Sequence, residues 1–268
     1  MLFFRNLLQQ VKPHFSKGGK LEKLHYAYDA FETFLFVPGQ PCAAGAHIRD
    51  GIDLKRTMFT VVLSLVPCLL FGMWNVGHQH FLATGQMADF AAKFLFGLSV
   101  VLPMLMVSYG VGLTIEFIFA VLRGHPVNEG YLVTGMLIPL ILPPTIPLWM
   151  VAFATAFAVI IGKEAFGGTG MNILNIALAA RVFLFFAYPA YMAGDNIWIA
   201  SGGAKFVDGF SGATPLAAAY SGGLEGLSRQ YSLSDLFWGT IPGSVGETSV
   251  IAIAIGACLL IFTGIGSW

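Results

Sequence analysis

Charge is scarce in this chain. Asp, Glu, Lys and Arg together make up 10% of its 268 residues, against roughly 25% in an average soluble domain. With 56% hydrophobic residues and a mean hydropathy of +0.75, so few charges cannot keep a globule in solution, and the composition points to a membrane protein. The few charges also balance, 14 basic against 14 acidic. No net field therefore favours nucleic acid, and a nucleic-acid partner is excluded. Cysteine is nearly absent. Cys42, Cys68 and Cys258 lie far apart with no CxxC or Cys/His ligand spacing, which excludes a disulfide framework and gives no metal site. A dinucleotide fingerprint is missing too, because GGTG at 167–170 lacks the GxGxxG spacing and its strand context. The opening MLFFRNLLQQVK is too soon interrupted for a cleaved secretory signal, so the amino terminus is read as retained.

Long apolar runs are what remains. A helix needs about 20 apolar residues to cross a hydrocarbon core of ~30 Å. Thr57–Val76 is the first clean span, a polar loop around His78–Asp89 follows, and Phe94–Leu122 returns, with Pro103, Gly110 or Gly112 as places to tilt or break. Tyr131–Leu142 is short and stops at Pro143 and Pro144, and Pro147 opens the next run to Gly162. Ile173–Met192 and Thr248–Trp268 complete the set. The expectation is an all-α polytopic membrane protein of about six transmembrane helices, short or broken around Pro143–Pro147. The last run ends without a charged anchor, and further carboxy-terminal spans are expected beyond it.

Eight of the fourteen Lys and Arg residues fall in 1–56, interleaved with Leu2, Phe3, Phe4, Leu7 and Leu8. This segment reads as a basic arm with an interfacial helix, cytoplasmic by the positive-inside rule, preceding a transmembrane domain over 57–268. Lys163 and Glu164 mark a cytoplasmic connection. The segment 193–247, rich in Gly, Ser and Ala with only Lys205 and Arg229 as cations, then falls on the outer side. It contains DGFSGATPLA, where a threonine hydroxyl follows small residues and could accept a phosphoryl group as an ester. The plain alternative is a loop that spells SGAT by chance.

RGHPVNEGYLVTG, LILPPTIPLW, GKEAFGGTGMNILNIALAARVFLFFAYPA and DGFSGAT together closely resemble the B subunits of the bacterial sodium-translocating NADH:quinone oxidoreductases (Nqr). The likeness covers nearly the whole chain. The D subunits of Rnf complexes, ion-translocating ferredoxin:NAD oxidoreductases, are similar, but the basic arm 1–56 looks like the Nqr type. The resemblance implies a translocase subunit of the bacterial inner membrane, with NADH oxidised in another subunit. It implies flavin mononucleotide (FMN) joined to Thr214 by an extracytoplasmic flavin transferase, so that the SGAT loop is periplasmic. It also implies riboflavin near Asn172 and Asn175, quinone and Na+ as partners, and quinone reduction and cation passage around Gly112 and Glu116.

The residues leave alternatives beside those roles. Asn172 and Asn175 could cap a helix after GGTG as readily as meet a flavin edge. Phe183, Phe185, Phe186 and Tyr188 could shield a flavin ring or simply pack. Glu116 lies near the inner end of its span and could snorkel to water. Arg181 could answer a carboxylate or a flavin oxygen. Two other classes stand against the redox reading: a transporter or channel built on the broken, Pro-rich helices, and a membrane anchor with a silent SGAT.

Overall fold

In a computed structural model, the described residues are 2–16, 19, 21–36, 45, 53–124, 127, 129–203, 205–207 and 211–268. They form helices joined by turns, with no strand among them. α1 (Leu2–Phe15) and α2 (His25–Leu35) belong to the basic arm. The apolar body comprises α3 (Leu54–Ala83), α4 (Phe90–Arg123), α5 (Gly130–Ile141), α6 (Leu148–Gly162), α7 (Ile176–Ala187) and α10 (Val250–Phe262). α8 (Pro215–Gln230) and α9 (Leu233–Trp238) lie between α7 and α10.

The six apolar helices match the six expected runs, with instructive differences at their ends. α3 continues through His78 to Ala83, so the polar loop shrinks to 84–89. Asp53 and Asp89 cap the two helices by accepting from the Arg56 and Ala92 amides. α4 runs unbroken through Pro103, Gly110 and Gly112. Proline in such a helix removes one backbone donor, and packed neighbours accommodate the loss. The arm contains two helices rather than one: α2 packs on α1 through the stack of Phe15 on Tyr28, and the Tyr28 hydroxyl donates to the Leu8 carbonyl at 2.9 Å.

α3 and α4 cross closely because Gly77 and Gly97 carry no side chain where the backbones of Lys93 and Met73 pass. On the other side of α4, with α5, α6 and α7, a core of Met104, Tyr131, Ile138, Leu142, Met150 and Leu184 closes almost fully.

The turn between α5 and α6 explains a feature hidden in the sequence. Pro143 and Pro144 cannot donate to the carbonyls one turn back, which leaves the α5 end without helical partners. The segment 240–249 fills the gap: Gly246 N–H donates to the Leu140 carbonyl at 2.8 Å, and Val245 N–H to the Leu142 carbonyl at 3.3 Å. Asn75 of α3 holds the same segment by donating to the Ile241 carbonyl at 2.9 Å. The last part of the expected outer loop therefore passes into the helical body.

Two poles follow. At one, Tyr26 of α2 lies by Gly124 at the end of α4, and Lys55 pairs with Glu129 at 2.6 Å. At the other, Val207 N–H donates to the Ala83 carbonyl at 2.8 Å, and the Thr145 hydroxyl donates to the Ile197 carbonyl at 2.6 Å.

Candidate functional site

Thr214 sits at the pole opposite the basic arm. It is the residue preceding α8, extended at φ −68° and ψ 158°, with Pro215 in the first helical position. That is the local pattern of a helix start, and the Thr214 side-chain oxygen accepts from Ala217 N–H at 3.3 Å. Thr214 is partly exposed while Gly212 and Ala213 are buried. Gly212 has no room for a side chain, since the Asp195 carbonyl would stand 2.5 Å from a Cβ there. Only half of SGAT is therefore accessible. Asp208, Gly209 and Phe210 of the motif lie outside the described residues.

Gly112 and Glu116 lie one turn apart on α4. Gly112 is required by packing: a Cβ there would strike the Tyr131 ring, whose hydroxyl donates to the Ser108 carbonyl at 2.7 Å. Glu116 does not snorkel. It is 4% exposed and ion-paired with Lys163, itself 2% exposed. The reason is the next helix: Lys163 follows α6 directly, so its side chain enters the α4–α6 contact, where the Tyr131 ring also faces it at 6.0 Å. Glu164 pairs outward with Arg123 at 3.4 Å. Sequence reasoning took Lys163 only as the mark of a cytoplasmic connection. Its position directly after fifteen helical residues without a charge was the available signal.

Beside this cluster a cavity of about 150 Å³ opens between α2, α4 and α5, lined by Phe31, Leu113, Phe117, Glu129, Tyr131 and Leu132 among others. Its wall is apolar apart from Glu129.

Asn172 and Asn175 do not converge on one point. Asn172 closes its own turn, accepting from Gly170 N–H at 3.2 Å and donating to the Leu174 carbonyl at 2.9 Å. Asn175 caps α7, accepting from Leu178 N–H at 3.2 Å. The capping geometry is thus present, and it uses only the carbonyl end of Asn175. Along α7 runs a groove of about 720 Å³ walled by Phe157, Leu178, Val182, Phe183 and Phe186, with Asn175 among its lining residues. Phe183 is stacked on Phe157 at 4.3 Å, whereas Phe186 is largely exposed. Tyr188 packs edge-on against Trp149, and Phe185 against Phe186.

Arg181 meets a carboxylate. Glu247, on the entering segment 240–249, lies 3.0 Å from its guanidinium, and the Ser244 hydroxyl donates to the same carboxylate. The pairing joins α7 to the segment that completes α5. Sequence reasoning missed Glu247 because it stood at the end of a presumed outer loop. Among the described residues no group of three His, Cys, Asp or Glu side chains is placed to hold a metal ion.

Comparison with known proteins agrees with the motifs. The chain is 47% identical over 285 residues to the B subunit of the Na(+)-translocating NADH-quinone reductase of Chromohalobacter salexigens, covering 98% of this chain and 68% of that one. It is 47% identical to the protein of the same name from Stutzerimonas stutzeri over 288 residues, 98% of this chain and 70% of that one. The Azotobacter vinelandii counterpart is 44% identical over 291 residues, 100% of this chain and 71% of the relative. The model of the NQR2, RnfD, RnfE family matches residues 42–268, most of the chain, and the chain belongs to that family.

Proposed function

We propose that this chain is the B subunit of a Na+-translocating NADH:quinone oxidoreductase, carrying FMN as a phosphoester on Thr214 and riboflavin near Asn172 and Asn175. The observation that carries the reading is the setting of Thr214. It stands partly exposed at a helix start, at the pole away from the basic arm. The amides of the first turn of α8 suit a phosphate esterified there, since a helix N-terminus favours an anion. The α7 groove has the size of a small-molecule site, with aromatic walls and Asn175 among its lining residues. These residues fit flavins, which when bound supply one-electron carriers while the protein sets their position and potential.

With the basic arm cytoplasmic, Thr214 faces the periplasm, where a flavin transferase would reach it, and electrons pass inward. Quinone then belongs at the cytoplasmic pole, where the cavity between α2, α4 and α5 is apolar and lies next to Gly112, Glu116 and Tyr131. Glu116 is the buried carboxylate there through which sodium movement would be coupled, and Lys163 neutralises it in this structure. The NADH is oxidised in another subunit of the complex.

The reading is tested by ultraviolet in-gel fluorescence and intact-mass analysis of the denatured subunit. The expected result is one FMN adduct mapping to the peptide with Thr214 and lost completely in Thr214→Ala. A subunit free of covalent flavin would sink it and would favour the transporter or anchor readings. Between the Nqr and Rnf types, the Na(+)-translocating NADH-quinone reductase relatives align with 98–100% of this chain, and so with most of the basic arm, which favours the first.

A further inference from the structure

The surroundings of Thr214 hold a device that the functional reading leaves unused. α8 is two helical pieces: Gly223, at φ 63° and ψ −159°, breaks it. A side chain would be strained there, and glycine lets the chain reverse. The second piece folds back on the first, so closely that a Cβ on Gly226 would stand 3.0 Å from the Ala218 carbonyl. This return brings Tyr231 to the start of the unit, where its hydroxyl donates to the Ala213 carbonyl at 2.6 Å. Burial, and secondarily the Asp195 carboxylate, pushes the Tyr231 phenol above its ordinary range, so it remains a donor. The residue before Thr214 is thus tied from one side by Tyr231. Gly212 is seated against Asp195 and Ile199 on the other.

We propose that Tyr231 is a positioning residue for the modification of Thr214, holding the acceptor in its helix-start geometry so that the flavin transferase acts on the folded loop. This rests on the reading of Thr214 given above. In the transfer, Thr214 Oγ1 forms a bond to the flavin-side phosphorus of a flavin dinucleotide donor. The phosphoanhydride P–O bond breaks, the nucleoside monophosphate leaves with the bonding pair, and the hydroxyl proton passes to a base of the transferase. No electrons change hands. Tyr231 touches none of the reacting atoms. It acts by fixing the carbonyl of the preceding peptide, which sets where Oγ1 points at the start of α8.

The experiment uses the full chain, purified within its complex from cells lacking the transferase, then incubated with transferase and flavin adenine dinucleotide. Initial rates of fluorescent labelling are measured against acceptor concentration. If only the tied conformation is competent, Tyr231→Phe lowers its population and raises the KM for the acceptor by about three- to tenfold with kcat unchanged. Tyr220→Phe, altering a tyrosine that is 93% exposed and makes no such bond, keeps the wild-type KM. Gly223→Ala, which strains the fold-back without touching Tyr231 or Thr214, raises KM in the same way and decides the matter should the phenylalanine variant fold poorly. A wild-type KM in both variants overturns the proposal, as does faster transfer, which would mean that the strand must open first. Wild-type protein that takes up no flavin at Thr214 would instead remove the reading beneath it.

Discussion

The two poles of the molecule solve the same problem with different chemistry. At the basic pole, charges are cancelled in pairs around one fully buried pair: Glu116 with Lys163 inside, and Lys55 with Glu129 and Arg123 with Glu164 nearer the surface. At the Thr214 pole the ties are hydroxyls and backbone amides, and its ion pair between Arg229 and Glu225 stands out in solvent at 3.8 Å. A buried pair holds tightly only while both members are present, because each alone is an uncompensated charge. Hydroxyl and amide ties are individually weak and can be lost one at a time. One pole therefore suits all-or-none changes of charge, the other a segment that can yield locally.

Variants that unbalance one pole should break this contrast most sharply. Lys163→Met strands the Glu116 carboxylate in the α4–α6 contact and should destabilise the protein by about 3 to 5 kcal/mol. Adding Glu116→Gln should restore most of that. Thermal melting of the purified complex checks both, and a single variant that melts like wild type would end the argument for a coupled pair. A smaller effect is expected from Gly112→Ala, where the new methyl collides with Tyr131 at a cost of about 1 to 3 kcal/mol. Combining it with Tyr131→Phe should recover little, since the ring carbon is struck as well as the hydroxyl.

The mildest effect belongs to the hydroxyl-and-amide pole. Asp235 closes a capping box with Ser232 at the start of α9, and the Ser232 hydroxyl and amide hold its carboxyl below the usual carboxylate range. Its contribution is complete above an unfolded-state pKa of roughly 3.9 and disappears as pH falls through the lower folded value. Amide exchange across 235–240 should therefore quicken on acidification below about pH 4 while the buried helices stay protected. Uniform loosening across the whole chain would contradict the independence of the two poles.

The six apolar helices were legible because each is an apolar run bounded by polar or proline residues, as Asp53 and Asp89 show at the starts of α3 and α4. By contrast, α2, α8 and α9 lack such runs and were not. Asn175 was legible as a cap for the same local reason. Partners distant along the chain were not. The uncharged run of α6 hints that Lys163 can turn inward, but nothing in it names Glu116, 47 positions earlier, as the partner. The segment 240–249 read as loop because Gly, Pro and Ser dominate it, and those residues let a strand-like backbone slip between helices. Its destination was fixed by carbonyls that Pro143 and Pro144 leave open, a demand visible only once α5 is folded. Tyr231 escaped notice for a similar reason, since only the reversal at Gly223 brings it to Ala213.

The backbone bonds lent to Leu140 and Leu142 have a bearing on assembly. A helix end inside an apolar body cannot wait for water, and an unmet carbonyl there costs several kcal/mol. α5 is therefore incomplete as synthesised, and becomes stable only when a stretch about a hundred residues further on comes back to it. Until then the hairpin of α5 and α6 is a natural client for the insertion machinery, and docking of the late segment is the step that commits the bundle to its final shape.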